Sequence, residues 1–451
     1  YIFKSSDKGN SWVSITSNLP VRGSVYSIEE DHVDSNLIFC GTEFGVFFSP
    51  DSGGSWKELK SGLPTIAVRD IAIQRRENDL VLGTFGRGFY VLDDYSVLRS
   101  FKNLEKDPVA QIFDVRDALM WEKANPLGLP GKAFQGDNFY LAENLDPVAI
   151  FTYNFDEKFE SLKSKRQKAE KKLIKDEKDV SYPSYDELYN ELNEAKPELV
   201  FTIRDSDDNV VKKIYKKPSE GLSRFQWDLR YEDNSPIDLS SSSFYNPFAG
   251  VSEGTLVNPG KYTIDMSLLL AGETTKIVDA KSFNIKALNN TVMPAIDRSA
   301  KVEFQRKVSK LQAEIGEYSR KLSEASNKMP YIAEAIKKVE QPVDNISKIA
   351  WDLNQIIKDI NLKFYGDNVK SRLDMQSYLS PSSRLGAVAY YQKYSTAAPT
   401  KTHMDSYEIA KEEFEPIKVM IDELKIKMAD LENTLKEMGA AYTPGRPKPI
   451  N

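Results

Sequence analysis

The hydrophobic pattern changes period along the chain. Up to about residue 120, apolar residues come in short runs separated by Gly, Pro, Asn and Asp: 25–28, 37–40, 68–73 and 80–82. Runs of this kind predict strands. Strand-like runs continue at 148–153, 199–204, 210–215, 224–229, 262–270 and within 274–285, with a Lys- and Glu-rich interruption between the first two. From about 295 the spacing becomes helical. Phe304, Val308, Leu311, Ile315, Tyr318 and Leu322 step by four and three, and Tyr407, Ala410, Phe414, Ile417, Ile421, Leu424, Met428, Leu431, Leu435 and Met438 do the same.

Ile346, Ile349, Leu353, Ile356 and Ile360 form a third helical seam, and Ile332, Ala335, Ile336 and Val339 a short fourth. An antiparallel bundle of three long helices, or four with the short one, is expected. Pro342 should separate two segments and Pro416 kink the last helix. Residues 371–402 read as an excursion with one short helix, and Tyr442-Thr443-Pro444-Gly445-Arg446-Pro447 as an extended tail.

The strand-rich start contains a repeat. Ser5-Ser6-Asp7-Lys8-Gly9-Asn10-Ser11-Trp12 and Ser49-Pro50-Asp51-Ser52-Gly53-Gly54-Ser55-Trp56 both read S-x-D-x-G-x-S-W and lie 44 residues apart. Leu19-Pro20 and Leu63-Pro64 follow the two tryptophans at the same distance, and Gly41-Thr42 is answered by Gly83-Thr84. A period in the low forties made of short strands predicts one four-stranded propeller blade per repeat. Asp7 and Asp51 are expected to accept backbone N–H bonds, Gly9 and Gly53 to supply positive φ, and Trp12 and Trp56 to pack between sheets. A third unit, Gly83-Thr84-Phe85-Gly86-Arg87-Gly88-Phe89-Tyr90-Val91-Leu92-Asp93-Asp94, keeps the strands and lacks the box, as expected of a terminal repeat.

With the boxes on the turns between third and fourth strands, the turns at Glu43-Phe44 and Phe85-Gly86-Arg87 and the start of a strand at Arg69 fall at the opposite end of the sheets. Glu43, Phe44, Arg69 and Arg87 are therefore candidates for a ligand-facing rim. The planar guanidinium suits a carboxylate or a peptide backbone; the competing expectation is that Arg87 braces neighbouring blades through a salt bridge. Asp93 and Asp94 read as a polar turn, because adjacent strand side chains point apart.

The two boxes resemble the Asp-box, or bacterial neuraminidase repeat, of sialidases, xyloglucanases and sortilin-type propellers. G-T-x-G-R-G-F-x-V-L-D-D at 83–94, the P-G-x-Y turn at Pro259, the W-D-L-R strand at Trp227 and the T-P-G-R tail are similar to segments of exported bacterial sortilin-like proteins. The resemblance implies a multidomain β + α chain: terminal blades of an Asp-box β-propeller (1–122), an Ig-like β-sandwich (123–292) with a helical-hairpin insert at about 157–196, and an antiparallel helical bundle (293–451). Asn125 to Gly131 reads as a linker. The insert is expected to project, with narrow apolar stripes of Phe159, Leu162, Ala169 and Leu173 on one helix and Tyr185, Leu188 and Leu192 on the other, and Ser184 to Glu187 forming a capping box.

Composition narrows the chemistry. The 451 residues are 40% hydrophobic and 28% charged with a net charge of -6, which gives no broad attraction to nucleic acid. Cys40 is the one cysteine, and His32 and His403 are the two histidines. An intrachain disulfide, a cysteine zinc cluster and a multi-histidine metal site are therefore excluded. Lys163 to Lys168 is balanced by nearby acids and reads as a solvated helix face; Asp205 to Asn209 reads as a hairpin turn in preference to a Ca²⁺ loop. No metal, cofactor or membrane span is expected. The start at Tyr1-Ile2-Phe3 reads as a strand under way, so the chain is expected to be the C-terminal part of a longer exported protein with its signal upstream.

The function expected is a non-catalytic binding or scaffold protein of the periplasm, cell surface or medium. Its propeller would recognise a peptide, protein or glycan, and its bundle or insert would offer surfaces to a cell-envelope partner. The alternative is a glycoside hydrolase of sialidase or xyloglucanase type whose catalytic groups lie mainly in upstream blades.

Overall fold

The computed structural model describes residues 1–451 apart from 61, 105–109, 122–145, 240–252, 289–290, 292, 394 and 445–451. The expected linker at 125–131 and most of the T-P-G-R tail lie outside the described residues. The chain is a β + α protein in which sheets precede a helical C-terminal part.

Strands β1 (Phe3–Lys4) and β2 (Val13–Ser14) form a two-stranded ladder. Strands β3 (Val25–Glu30), β4 (Ile38–Thr42), β5 (Gly45–Ser49) and β6 (Lys57–Glu58) follow as an antiparallel sheet in that order. Strands β7 (Val68–Gln74), β8 (Asp79–Thr84) and β9 (Phe89–Leu92) make a three-stranded sheet. In the third unit the place of a fourth strand is taken by a 3₁₀ turn at Tyr95–Ser100 and the short helix α1 (Phe101–Leu104).

Every residue of β4 and β5 is buried. Successive side chains point to opposite faces of a strand, so the sheet has an apolar layer on each side. Leu37, Phe39, Val46 and Phe48 pack with Val68, Ile71, Leu80 and Leu82 of the next sheet. Ile38, Cys40 and Phe47 pack on the other side with Ile2, Leu19 and Trp56. Cys40 is a buried strand residue whose thiol burial pushes up to about 12. Gly41 lets the sheets approach, since a Cβ there would meet the Val68 carbonyl oxygen at 2.7 Å.

A buried polar cluster ties the 3₁₀ turn to the preceding sheet. Asp31, in the β3–β4 connection, accepts from Arg99 Nε at 2.7 Å and Nη2 at 2.8 Å, and from the Tyr95 hydroxyl at 2.5 Å. Arg99 also donates to Asn78 Oδ1 at 2.7 Å. Burial works against the charged carboxylate of Asp31, but the hydrogen bonds from Arg99, Tyr95 and the Asp34 backbone N–H outweigh it and hold its pKa far below the usual range. Burial and the neighbouring Asp31 carboxylate push the Tyr95 phenol up.

The middle of the chain forms two sheets that share one core. Strands β10 (Ala110–Ile112), β12 (Ala149–Phe155) and β15 (Gly221–Trp227) make one. The other has the order β11-β17-β16-β13-β14, from β11 (Ala118–Met120), β13 (Glu198–Arg204), β14 (Val210–Lys216), β16 (Gly260–Leu270) and β17 (Glu273–Ala287). The runs at 110–120 were expected to leave the first unit. They join the second: β10 pairs antiparallel with β12 and β11 parallel with β17, because Ala110, Ile112, Ala118 and Met120 all reach that core. Trp227 is buried at its centre with its indole N–H on the Arg230 carbonyl at 2.9 Å, and Tyr262 donates to the Asn258 carbonyl at 2.7 Å.

Between β12 and β13 stand helices α2 (Leu162–Lys175) and α3 (Tyr185–Leu192), the latter opened by the expected capping box at Ser184. The hairpin's apolar stripes stay partly or fully exposed. Neither helix has a buried residue, and Leu162, Tyr185 and Leu192 are exposed. Ion pairs hold the hairpin, with Arg166 bridging Glu191 and Glu170 at 2.5 Å each.

The C-terminal part is helical: α4 (Arg298–Lys337), α5 (Asp344–Tyr365), α6 (Asn368–Arg372), α7 (Pro381–Lys393) and α8 (Lys401–Glu437). The short fourth seam is not a separate helix. Helix α4 runs through Pro330, and Met329, Ile332 and Ile336 on either side are buried, which offsets the ~3 kcal/mol that proline costs in a helix. The additional core helix is α7, in the stretch expected to be an excursion; Leu385 and Val388 place it in the same core as α4, α5 and α8. Helix α8 continues through Pro416. In α5 the buried stripe is Ile346, Ala350, Leu353, Ile357, Ile360 and Phe364, so Ile349 lies outside it, 39% exposed. None of the described helices is long and apolar enough to cross a membrane.

Removing the Asp31 charge should expose its clamp role. Asp31→Asn is expected to cost about 3 kcal/mol at pH 7, since it leaves Arg99 without its buried partner. The folded-state pKa is lowered, so this stabilisation is complete above the unfolded-chain value of about 3.9 and declines as pH falls below it. Urea titrations at pH 7 and pH 3 should therefore show a smaller gap between wild type and variant at pH 3; an equal gap would refute the assignment.

Candidate functional site

The two S-x-D-x-G-x-S-W boxes are turns, joining β1 to β2 and β5 to β6. In each, the Asp side chain closes the loop: Asp7 Oδ1 accepts from the Ser11 N–H at 2.8 Å, and Asp51 Oδ1 from the Ser55 N–H at 2.8 Å. Hydrogen bonds from Ser11 and Ser5 bring the Asp7 pKa down to about 2; Asp51 is lowered by Ser49 and Ser55 against the opposing effect of burial. Gly9 and Gly53 adopt φ of 91° and 92°, the left-handed conformation expected of them.

The tryptophans differ. Trp56 is 3% exposed, donates its indole N–H to the Ile15 carbonyl at 2.8 Å and exchanges backbone hydrogen bonds with the Asn18 amide. Trp12, in the equivalent position, is 62% exposed and does not pack between sheets as expected.

The ladder registers place the candidate rim at the other end. Val25 pairs with Thr42 and Thr42 with Gly45, whereas Ile38 pairs with Ser49 at the Asp-box end. In the next sheet Val68 pairs with Thr84 and Gly83 with Phe89. The 43–44 turn, the 85–88 turn and Arg69 therefore lie together at one end of the sheets.

At that end Arg69 is held between two rings. Its guanidinium carbon lies 3.9 Å from the Tyr26 centroid and 5.2 Å from that of Phe85, so the cation joins the first strand of one sheet to a turn of the next. Both distances are within the ~6 Å reach of a cation–π contact. Phe85 is 68% exposed beside it. Phe44 is partly exposed, its ring against Gly23, where an added Cβ would come within 2.8 Å of it. Glu43 reaches the segment that enters β3, accepting from the Ser24 N–H at 3.2 Å. Arg87 is exposed, and among the described residues it makes no ion pair.

Arg69 and Phe85 thus come together with Tyr26, while Glu43 ties down the entry to β3 at Ser24 and Arg87 is exposed. Tyr26 was missed by sequence reasoning, although its position next to Val25 at the start of an inner strand parallels that of Arg69 next to Val68. The Asp31–Tyr95–Arg99 cluster was also missed, Asp31 lying more than 60 residues from the other two. Asp94 caps the 3₁₀ turn through Ser96, and the Asp93 and Asp94 carbonyls accept from Arg224 at 2.8 and 2.9 Å, so the pair is structural. Asp205 accepts from the Asp207 and Asn209 N–H groups of its hairpin. Among the described residues no cluster of three or more His, Cys, Asp or Glu is arranged to hold a metal ion.

No family model matches the chain, and no curated protein matches it. One similar solved structure is the extracellular domain of a proposed one-component system from B. thetaiotaomicron, at 13% identity and a TM-score of 0.18. The match covers 63% of this chain and 28% of that one. A likeness of this size carries no argument about fold or activity.

The burial difference between the two boxes gives a direct test. Trp56→Ala is expected to destabilise by about 3–5 kcal/mol, and Trp12→Ala to stay within about 0.5 kcal/mol of wild type, in guanidinium titrations. Equal costs would show that the motif, and not its packing, sets the contribution.

Proposed function

We propose that the chain belongs to an exported, non-catalytic binding protein whose first unit is built of Asp-box propeller blades and whose second is an Ig-like sandwich. The repeat of 44 residues, the sheets stacked in series and the adjacency of β3 and β7 through Gly41 and Arg69 support the propeller reading. The single observation that carries the functional reading is the rim: an arginine presented between Tyr26 and exposed Phe85, with Phe44 and Arg87 at the same end. Such a surface offers a fixed cation and flat apolar faces to a peptide or glycan.

Probing the purified chain on peptide and glycan arrays should identify ligands whose capture falls about tenfold in Arg69→Ala and in Phe85→Ala. Hydrolysis of chromogenic sialosides or β-glucans, abolished by changing one rim acid, would overturn the reading; so would ligand capture that is indifferent to both substitutions.

A further inference from the structure

Helix α2 of the projecting hairpin carries its positive charge on one side. At about 100° per residue, Lys165, Lys168, Lys171, Lys172 and Lys175 fall within an arc of about 120° and along about 15 Å of the helix. All five are exposed, and Ser164 is the one other residue on the arc. Arg166 and Glu170 lie on the other side, where Arg166 meets Glu191 of α3 at 2.5 Å.

The acids of the hairpin are largely engaged elsewhere. Glu170 and Glu191 hold Arg166, Glu187 closes the capping box at Ser184, and Glu194 accepts from the Leu162 N–H at 3.0 Å. Glu160 takes Lys168 at 2.8 Å. Among the described residues Lys165, Lys171, Lys172 and Lys175 make no ion pair, and Asp176, Glu177 and Asp179 beyond the helix end pair with none of them.

This arrangement weakens the helix that bears it. Lys168 is three residues from Lys165 and Lys171 and four from Lys172, and Lys175 is three from Lys172 and four from Lys171. Like charges at those spacings destabilise a helix, and α2 has no buried side chain to offset them. An anionic partner laid along the arc would remove the repulsion. The face holds no aromatic ring to stack a base and no apolar side chain to enter a lipid headgroup layer. It also holds no arginine, whose planar fork suits nucleic-acid phosphates. What it offers is a row of point charges.

We propose that this face of α2 binds a linear sulfated polysaccharide, whose sulfate groups meet the lysines in turn along the helix. The proposal is independent of the rim, which lies on the first unit.

Titration of the 451-residue chain into fluorescently labelled dextran sulfate tests it, with uncharged dextran, duplex DNA and phosphatidylserine vesicles as competitors. Saturable binding is expected, weakening as salt rises, with each competitor displacing the label at least about tenfold less well than unlabelled dextran sulfate. Lys165→Gln, Lys171→Gln, Lys172→Gln and Lys175→Gln combined should weaken binding by at least about tenfold. Gln is as good a helix former as Lys and relieves the repulsion, so circular dichroism should show no loss of helix in that variant. Lys411→Gln, Lys425→Gln, Lys427→Gln and Lys436→Gln combined remove the same charge from exposed positions of α8 and should leave the affinity within about twofold. Absence of saturable binding, displacement by duplex DNA or vesicles as effective as by dextran sulfate, full affinity in the α2 variant, or an equal loss in the α8 variant overturns the proposal.

Discussion

The β-rich start is governed by one constraint: the sheet β3–β6 is apolar on both faces. Phe39 and Phe48 on one side and Ile38, Cys40 and Phe47 on the other leave its central strands β4 and β5 no solvent-facing surface. Such a sheet is stable only with a layer on each side, so it fixes both the ladder β1–β2 before it and the sheet β7–β9 after it. The other features of the region follow from that stacking. Gly41 is small because two backbones meet there, and Asp31 and Arg99 satisfy each other where the last turn closes over the core.

Polar side chains rather than apolar layers join the larger units. Arg224 reaches from β15 to the Asp93 and Asp94 carbonyls, and Arg306 on α4 lies 4.4 Å from the Tyr231 ring centroid. Arginine suits such places because its fork satisfies two carbonyls and its plane stacks on rings. The candidate rim arises at a junction of the same kind, where Arg69 is shared by two sheets.

Much of the fold was legible in the sequence, because periodicity reports burial directly. The strands of the middle unit and the seams of α4 and α8 came out where alternation or three-four spacing placed them. The misreadings have particular causes. Residues 110–120 are too short to reveal their sheet, so chain order suggested the preceding unit while side-chain packing decided for the next. The short helix expected within 371–402 is α7, but its place in the core was not read, because Gly386 and flanking prolines mask a stripe that rests on Leu385 and Val388. The short seam at Ile332, Ala335, Ile336 and Val339 suggested a separate helix, whereas α4 runs on through Pro330 with Met329 and Ile332 buried. Of the rim, turn positions were readable from connectivity, but the contact of Arg69 with Tyr26 depends on two sheets coming together, and adjacency in space leaves no local mark.

The helical hairpin α2–α3 has a consequence for how the molecule comes apart. With no buried side chain, it adds little to the cooperative unit beneath it, and its amides are protected mainly by its own short helices and by Arg166. It should open and close many times during one lifetime of the sheets that carry it. Proteases would find their first cleavage point there, and changes in its length would cost the core little. The chain thus carries on its surface an element whose order is decided locally, free to vary between relatives while the strands on either side keep their register.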